Sequence, residues 1–112
     1  MDSSDDFITI HIFGNLRQYM DKMGLPYELT RKISHEGESS YDIALQLGLS
    51  PDKIEAVFRN GKVINIYDPL YPGDRVAFFP YGTPGPYRVY LGLAKENLRR
   101  SDIEKKKKQS LQ

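Results

Sequence analysis

The stretch "AVFRNGKVINI", residues 56–66, decides the fold. At its centre Asn60-Gly61 joins two residue types that accept the positive φ angles of a two-residue type I′ turn, and apolar residues flank it on both sides. The segment predicts a β-hairpin. Downstream, Asp68-Pro69 and Pro72-Gly73-Asp74 mark two further turns, and "RVAFF", 75–79, follows as a last strand of alternating character. Phe78 and Phe79 are adjacent, so in a strand they face opposite ways and one of them leaves the main core.

Upstream, "SHEGESSYDIALQLGLSP", 34–51, carries the helix signals: Ser39 caps, Asp42 suits the positive helix end, and Gly48 closes the helix left-handed. Tyr41, Ala44, Leu45 and Leu47 are expected on its inward side, with Ile43 near the edge. Ser50-Pro51 starts a short turn, since the missing N–H of Pro costs nothing at a first helical position. "YELTRKI", 27–33, sets Tyr27, Leu29 and Ile33 against Glu28, Thr30 and Lys32 and predicts a strand with one wet face. "FITIHIF", 7–13, places Ile8, Ile10 and Ile12 on one face and Phe7, Thr9, His11 and Phe13 on the other. Between these strands, "NLRQYMDKMGLP" spaces Leu16, Tyr19, Met20 and Met23 for one or two irregular helical turns ended by Gly24 and Pro26.

The resulting order is strand, short turn, strand, helix, strand, hairpin, strand. A helix between two strand groups that share one sheet predicts an α+β domain of β-grasp, or ubiquitin-like, type: a mixed sheet of four to five strands with one main helix packed on it. The domain is expected over 7–81, after a disordered acidic N-terminus (1–6) and before a Pro/Gly-rich connector (82–90). In 91–112, Leu91, Ala94 and Leu98 stand at helical spacing and cations gather toward the end, which predicts a C-terminal helix with a basic tail.

With 112 residues, 39% apolar and 12% aromatic, the chain supports one modest core. Its formal net charge is +1, and from Phe7 to Ala94 nine Lys/Arg balance nine Asp/Glu. A neutral body lacks the positive surface of a dedicated nucleic-acid binder, because phosphate affinity scales with the cations set against the backbone. There is no cysteine, which excludes disulfides, thiolate metal sites and a Cys nucleophile. The start "MDSSDDFITI" is acidic where a signal peptide is basic, and no apolar run approaches the roughly 20 residues of a membrane span, so a cytoplasmic location is expected.

Several of these segments carry a family resemblance. "IHIFGNLRQYM", "VFRNGKVI" and "DPLYPGDRVAFFP", with the spacing between them, resemble the sulfur carriers of molybdopterin and thiamin synthesis, the MoaD/ThiS family, over about Ile8 to Tyr81. The more specific part is Asn60-Gly61 with Leu70 and Gly73-Asp74, followed by an apolar strand ending at Pro80. The ubiquitin-like domain found with Mut7-C nuclease modules is similar too. The resemblance implies a carrier whose C-terminal Gly-Gly is adenylated by an E1-like enzyme and converted to a thiocarboxylate. It also implies that catalytic groups sit on the partner and that the sheet surface around the last strand contacts the activating enzyme. This chain departs from the pattern after "FFP": "YGTPGPYRVYLG" follows, with Gly82, Gly85 and Gly92 isolated and no Gly-Gly in the chain.

The expected function is therefore a non-enzymatic MoaD/ThiS-like interaction module. Its partner-binding residues would be Phe58, Phe79, Tyr81, Pro84, Pro86 and Tyr87, and its partner an E1-like adenylating enzyme or a molybdenum/tungsten cofactor enzyme. Two alternatives stand beside it: a sulfur carrier matured by cleavage to expose Gly82, Gly85 or Gly92, and an RNA- or nucleotide-binding adaptor using Lys105 to Lys108. No cofactor is expected. His11 and His35 are the only histidines and no ligand spacing surrounds them, so a strand-face side chain and a solvated loop account for both. Glu36 and Glu38 read as loop solubility, since nothing in an exposed Gly-containing loop separates their pKa values. "GTPGPYR" lacks a phosphate-loop lysine pattern and reads equally as a stiff linker or a recognition strip.

Overall fold

The computed structural model describes residues 6–82 and 93–110. Strand β1 (Phe7–Ile12) leads through a 3-10 turn (Gly14–Leu16) into helix α1 (Arg17–Met23), and β2 (Glu28–Lys32) returns antiparallel to β1. Two-residue β3 (Glu38–Ser39) then precedes helix α2 (Ser40–Gln46) and a 3-10 turn (Pro51–Lys53). The hairpin β4 (Ile54–Arg59) and β5 (Lys62–Ile64) follows, then β6 (Pro69–Leu70), β7 (Arg75–Pro80) and helix α3 (Leu93–Ser110). The main sheet has the order β2-β1-β7-β4-β5, with β1 and β7 parallel at its centre and the other pairs antiparallel. The β1–β2 and β4–β5 hairpins lie on either side of β7, which runs parallel to β1, and α2 connects them in the chain, which is the β-grasp arrangement.

The local signals explain most of this. Arg59 pairs with Lys62, so the loop has two residues, and Asn60 (φ 53°) and Gly61 (φ 84°) are both left-handed as a type I′ turn requires. The Ser39 hydroxyl accepts from the Asp42 N–H at 3.1 Å and caps α2, while Pro51 opens its 3-10 turn. Ile8, Ile10 and Ile12 are buried, as are Val76 and Phe78 from β7, and they pack with Leu16, Met20, Ile43 and Leu70 in one core.

The Asn60-Gly61 and Gly73-Asp74 motifs form one clasp. Asn60 donates through Nδ2 to Asp74 Oδ1 (2.9 Å) and accepts the Arg75 N–H at Oδ1 (2.8 Å). Asp74 Oδ2 accepts the Tyr71 N–H (2.9 Å), and Gly73 donates to the Phe7 carbonyl (2.8 Å), so the hairpin turn, the turn before β7 and the start of β1 are tied together. These residues satisfy backbone groups, and that role accounts for their place in the sequence pattern.

Several expectations are corrected. In α2 the inward stripe is Ile43, Ala44 and Leu47, whereas Leu45 is 50% exposed. Leu45 lies two residues from both Ile43 and Leu47, hence on the opposite side of the helix. Tyr27, expected opposite the wet face of its strand, is 40% exposed, and Met23 at the end of α1 is exposed too. Pro69–Leu70 forms a short second sheet with β3 beyond the turn that Asp68-Pro69 marks, anchored by the fully buried Leu70. Glu38 does more than solvate a loop: it pairs with Arg31 at 3.3 Å, and Arg31 also donates to Gln46 of α2. Asp6, expected in the disordered arm, extends the ladder, since its carbonyl accepts the Ile33 N–H at 2.8 Å.

Helix α3 packs against β4 and β5. Arg100, only 9% exposed, donates to the Ile54 carbonyl (2.7 Å), the Pro51 carbonyl (3.0 Å) and Glu104 (3.1 Å). Arg99 grips both oxygens of Asp68 (2.8 and 3.0 Å), and the Tyr67 hydroxyl donates to Glu104 (3.0 Å). Lys107, expected in the basic tail, lies 3.9 Å from the centre of the Tyr67 ring, which itself stacks on Tyr41.

Candidate functional site

Strand alternation gives the sheet two unlike faces. The residues that do not point to the core are Thr9 and His11 of β1 with Phe13 just beyond it, Arg75, Ala77 and Phe79 of β7, Ala56 and Phe58 of β4, and Glu28, Thr30 and Lys32 of β2. At one end three aromatic rings meet. Phe13 and Phe79 stack with centroids 4.5 Å apart and planes within 3°, and Phe58 meets Phe79 edge-on at 5.0 Å. All three remain partly exposed. Together with His11, Gly61, Arg75 and Ala77 they line a shallow groove of about 360 Å3.

Phe78 and Phe79 divide as their adjacency requires: Phe78 is fully buried and Phe79 faces the groove. Phe58 and Phe79 thus come together, while Phe13 joins them although nothing in its own neighbourhood marks it as part of a cluster. Its signal is the alternation in "FITIHIF", which puts it opposite the isoleucines. Tyr81 does not join them. It is 53% exposed and lines two polar hollows, one with Asn15, Gln18, Tyr19, Asp52 and Lys53, the other with Asp52, Arg100, Ser101 and Glu104. Gly82 is exposed with φ 118°. Pro84, Gly85, Pro86, Tyr87 and Gly92 lie outside the described residues.

Charge is unevenly spread over this face. His11 and Glu28 approach to 3.7 Å, whereas the Arg75 and Lys32 side chains have no ion-pair partner among the described residues. His35 meets Asp6 at 2.6 Å on the far loop. Among the described residues no group of three or more His, Asp or Glu is arranged to hold a metal ion, and no helix is long and apolar enough to cross a membrane.

No protein-family model matches the chain, and no curated protein matches it. Among solved structures the chain is similar to small archaeal modifier protein 1 (SAMP1) from Haloferax volcanii, in two crystal structures. The TM-score is 0.49 in each, with 20% and 19% identity, over 70% and 66% of this chain and 99% and 95% of that one. The β-grasp assignment itself stands on the strand order and the central parallel pair.

Proposed function

We propose that this protein is a non-catalytic β-grasp interaction module that holds a protein partner through the aromatic end of its sheet. The observation that carries the reading is the stacked Phe13–Phe79 pair with Phe58 against its edge, kept partly exposed instead of buried. A surface of rigid aromatic area loses little side-chain entropy on binding, and such residues dominate interface energetics. Following the resemblance to MoaD/ThiS carriers, the partner is an E1-like adenylating enzyme or a molybdenum/tungsten cofactor enzyme, with Pro84, Pro86 and Tyr87 extending the contact beyond the sheet. The described part of α3, bound to the body through the buried Arg100, favours a working protein that retains its C-terminal segment.

The test is affinity capture with the full chain from its native cells, comparing wild type, Phe79→Ala, Phe58→Ala and a variant with Lys105 to Lys108 replaced by Ala. A partner retained by the lysine variant and weakened by each aromatic change, by about 2 kcal/mol or roughly thirtyfold, is expected. Capture that survives both aromatic changes refutes the reading. A second reading, the matured sulfur carrier, draws on the exposed, left-handed Gly82 two residues after β7. Intact mass of the native protein separates the two: a chain ending at Gly82, Gly85 or Gly92 with one oxygen exchanged for sulfur selects the carrier.

A further inference from the structure

The geometry points to a specific chemistry for the occupant of this face: a protein segment that seats an apolar side chain on the phenylalanine cluster and carries a carboxylate about 13 Å away, read by Arg75. The inference rests on the proposed binding role of the face and adds what the face selects. Its two ends differ in kind. One end is Phe13, Phe58 and Phe79. Four residues along β7 from Phe79, roughly 13 Å at about 3.3 Å per residue, Arg75 stands exposed on the same side, level with Thr9 of β1. Lys32, opposite Phe7 on the same face, lies beyond it.

The Glu28 carboxylate on this face sits beside His11. On this face Arg75 and Lys32 have no ion-pair partner among the described residues, and both lie at one end. An acidic group arriving there meets two cations, and the neighbouring Asp74 carboxylate is already engaged by the Asn60 amide and the Tyr71 N–H, whereas a basic group meets repulsion. Arg75 is also held in place: its backbone N–H is pinned by Asn60 and its carbonyl accepts the Asn60 N–H at 2.8 Å, so the guanidinium projects from a rigid strand start. Guanidinium forks suit carboxylates in two-point contact. An extended partner strand spans this separation in four residues, so the motif is an apolar anchor with Asp or Glu about four positions away.

The experiment selects a random dodecapeptide phage library on the full-length protein and discards clones that still bind the Phe58→Ala/Phe79→Ala double variant. Groove-dependent clones are expected to carry Asp or Glu about four residues from an aromatic or large aliphatic residue. As synthetic peptides these should lose at least tenfold in affinity on Arg75→Glu, lose less on Arg75→Gln, and weaken as salt is raised. Groove-dependent clones that are neutral or basic, or acidic clones that bind Arg75→Glu as tightly as wild type, overturn the inference while leaving the face as a binding surface. A library that yields no groove-dependent clone refutes the reading of the face and this inference with it.

Discussion

Replacing Arg100 by Met tests what holds α3 to the body. The side chain is 9% exposed and gives charged N–H groups to the carbonyls of Ile54 (2.7 Å) and Pro51 (3.0 Å), with a third contact to Glu104 at 3.1 Å. A hydrogen bond involving a charged group contributes about 1.5–3 kcal/mol, so the two carbonyl contacts sum to roughly 3–6 kcal/mol. The Glu104 contact adds little, because that carboxylate is 43% exposed and an i,i+4 pair is worth about 0.3–0.5 kcal/mol. Two offsets apply: Met removes the cost of desolvating the guanidinium, and once α3 lifts, both carbonyls regain water. A net loss of about 3 kcal/mol of docking remains, which is about a hundredfold in the closing equilibrium at 1.4 kcal/mol per factor of ten. Native-state hydrogen exchange reads this directly. Protection of the α3 amides should fall about a hundredfold, or to the free-helix rate if that comes first, while β1 and β7 keep theirs. Unchanged α3 protection would show that the helix is anchored elsewhere. Equal loss in β1 and β7 would show that α3 is part of the cooperative core instead of a docked element.

Gly14→Ala should destabilise the domain by about 2–4 kcal/mol, since the left-handed backbone (φ 60°) costs an L-residue roughly 1–2 kcal/mol and the new Cβ would lie 2.6 Å from Pro80 Cγ. Denaturant midpoints in a double-mutant cycle with Pro80→Ala should recover the steric part, and strict additivity would refute the contact as its cause. Burial, then the hydrogen bond to Glu104, raises the Tyr67 hydroxyl to about 12 from 10.0, so the folded state holds its proton more tightly than the unfolded chain. That contribution is fully present below pH 10 and is lost between pH 10 and about 12. The stability gap between wild type and Tyr67→Phe should therefore narrow across that window; a gap that is constant or widens sinks the assignment.

Much of the fold was legible because the signals that set it are local. Alternation in "FITIHIF" put Ile8, Ile10 and Ile12 inside whatever sheet formed, Asn60-Gly61 had few conformations other than a type I′ turn, and Ser39 capped the helix three residues ahead of its partner N–H. The outward side of Phe13 followed from the same period of two, and so did the split that sends one of Phe78 and Phe79 outward. The meeting of Phe13, Phe58 and Phe79 did not, because it depends on which strands become neighbours: the parallel pairing of β1 with β7 lays Phe13 on Phe79.

The helix faces show where local reading stops. Spacing alone ranked Leu45 with Tyr41 and Ala44, but the side that turned inward was the one the sheet could cover, and that is Ile43, Ala44 and Leu47. Tyr81 is one residue past β7 and two from Phe79, yet it points into polar hollows near α1 and α3. Arg100 is the clearest case. In the sequence it is one of many cations on a polar helix, and its burial arises only because the carbonyls of Pro51 and Ile54 are presented by elements 46 and 49 residues away. By itself the sequence determined the strands of the main sheet, the turns, caps and inward isoleucines, since backbone sterics and side-chain period act over a few residues. Tertiary structure decided which aromatics meet, which cations are left unpaired and where α3 rests, because those depend on groups brought together from distant parts of the chain.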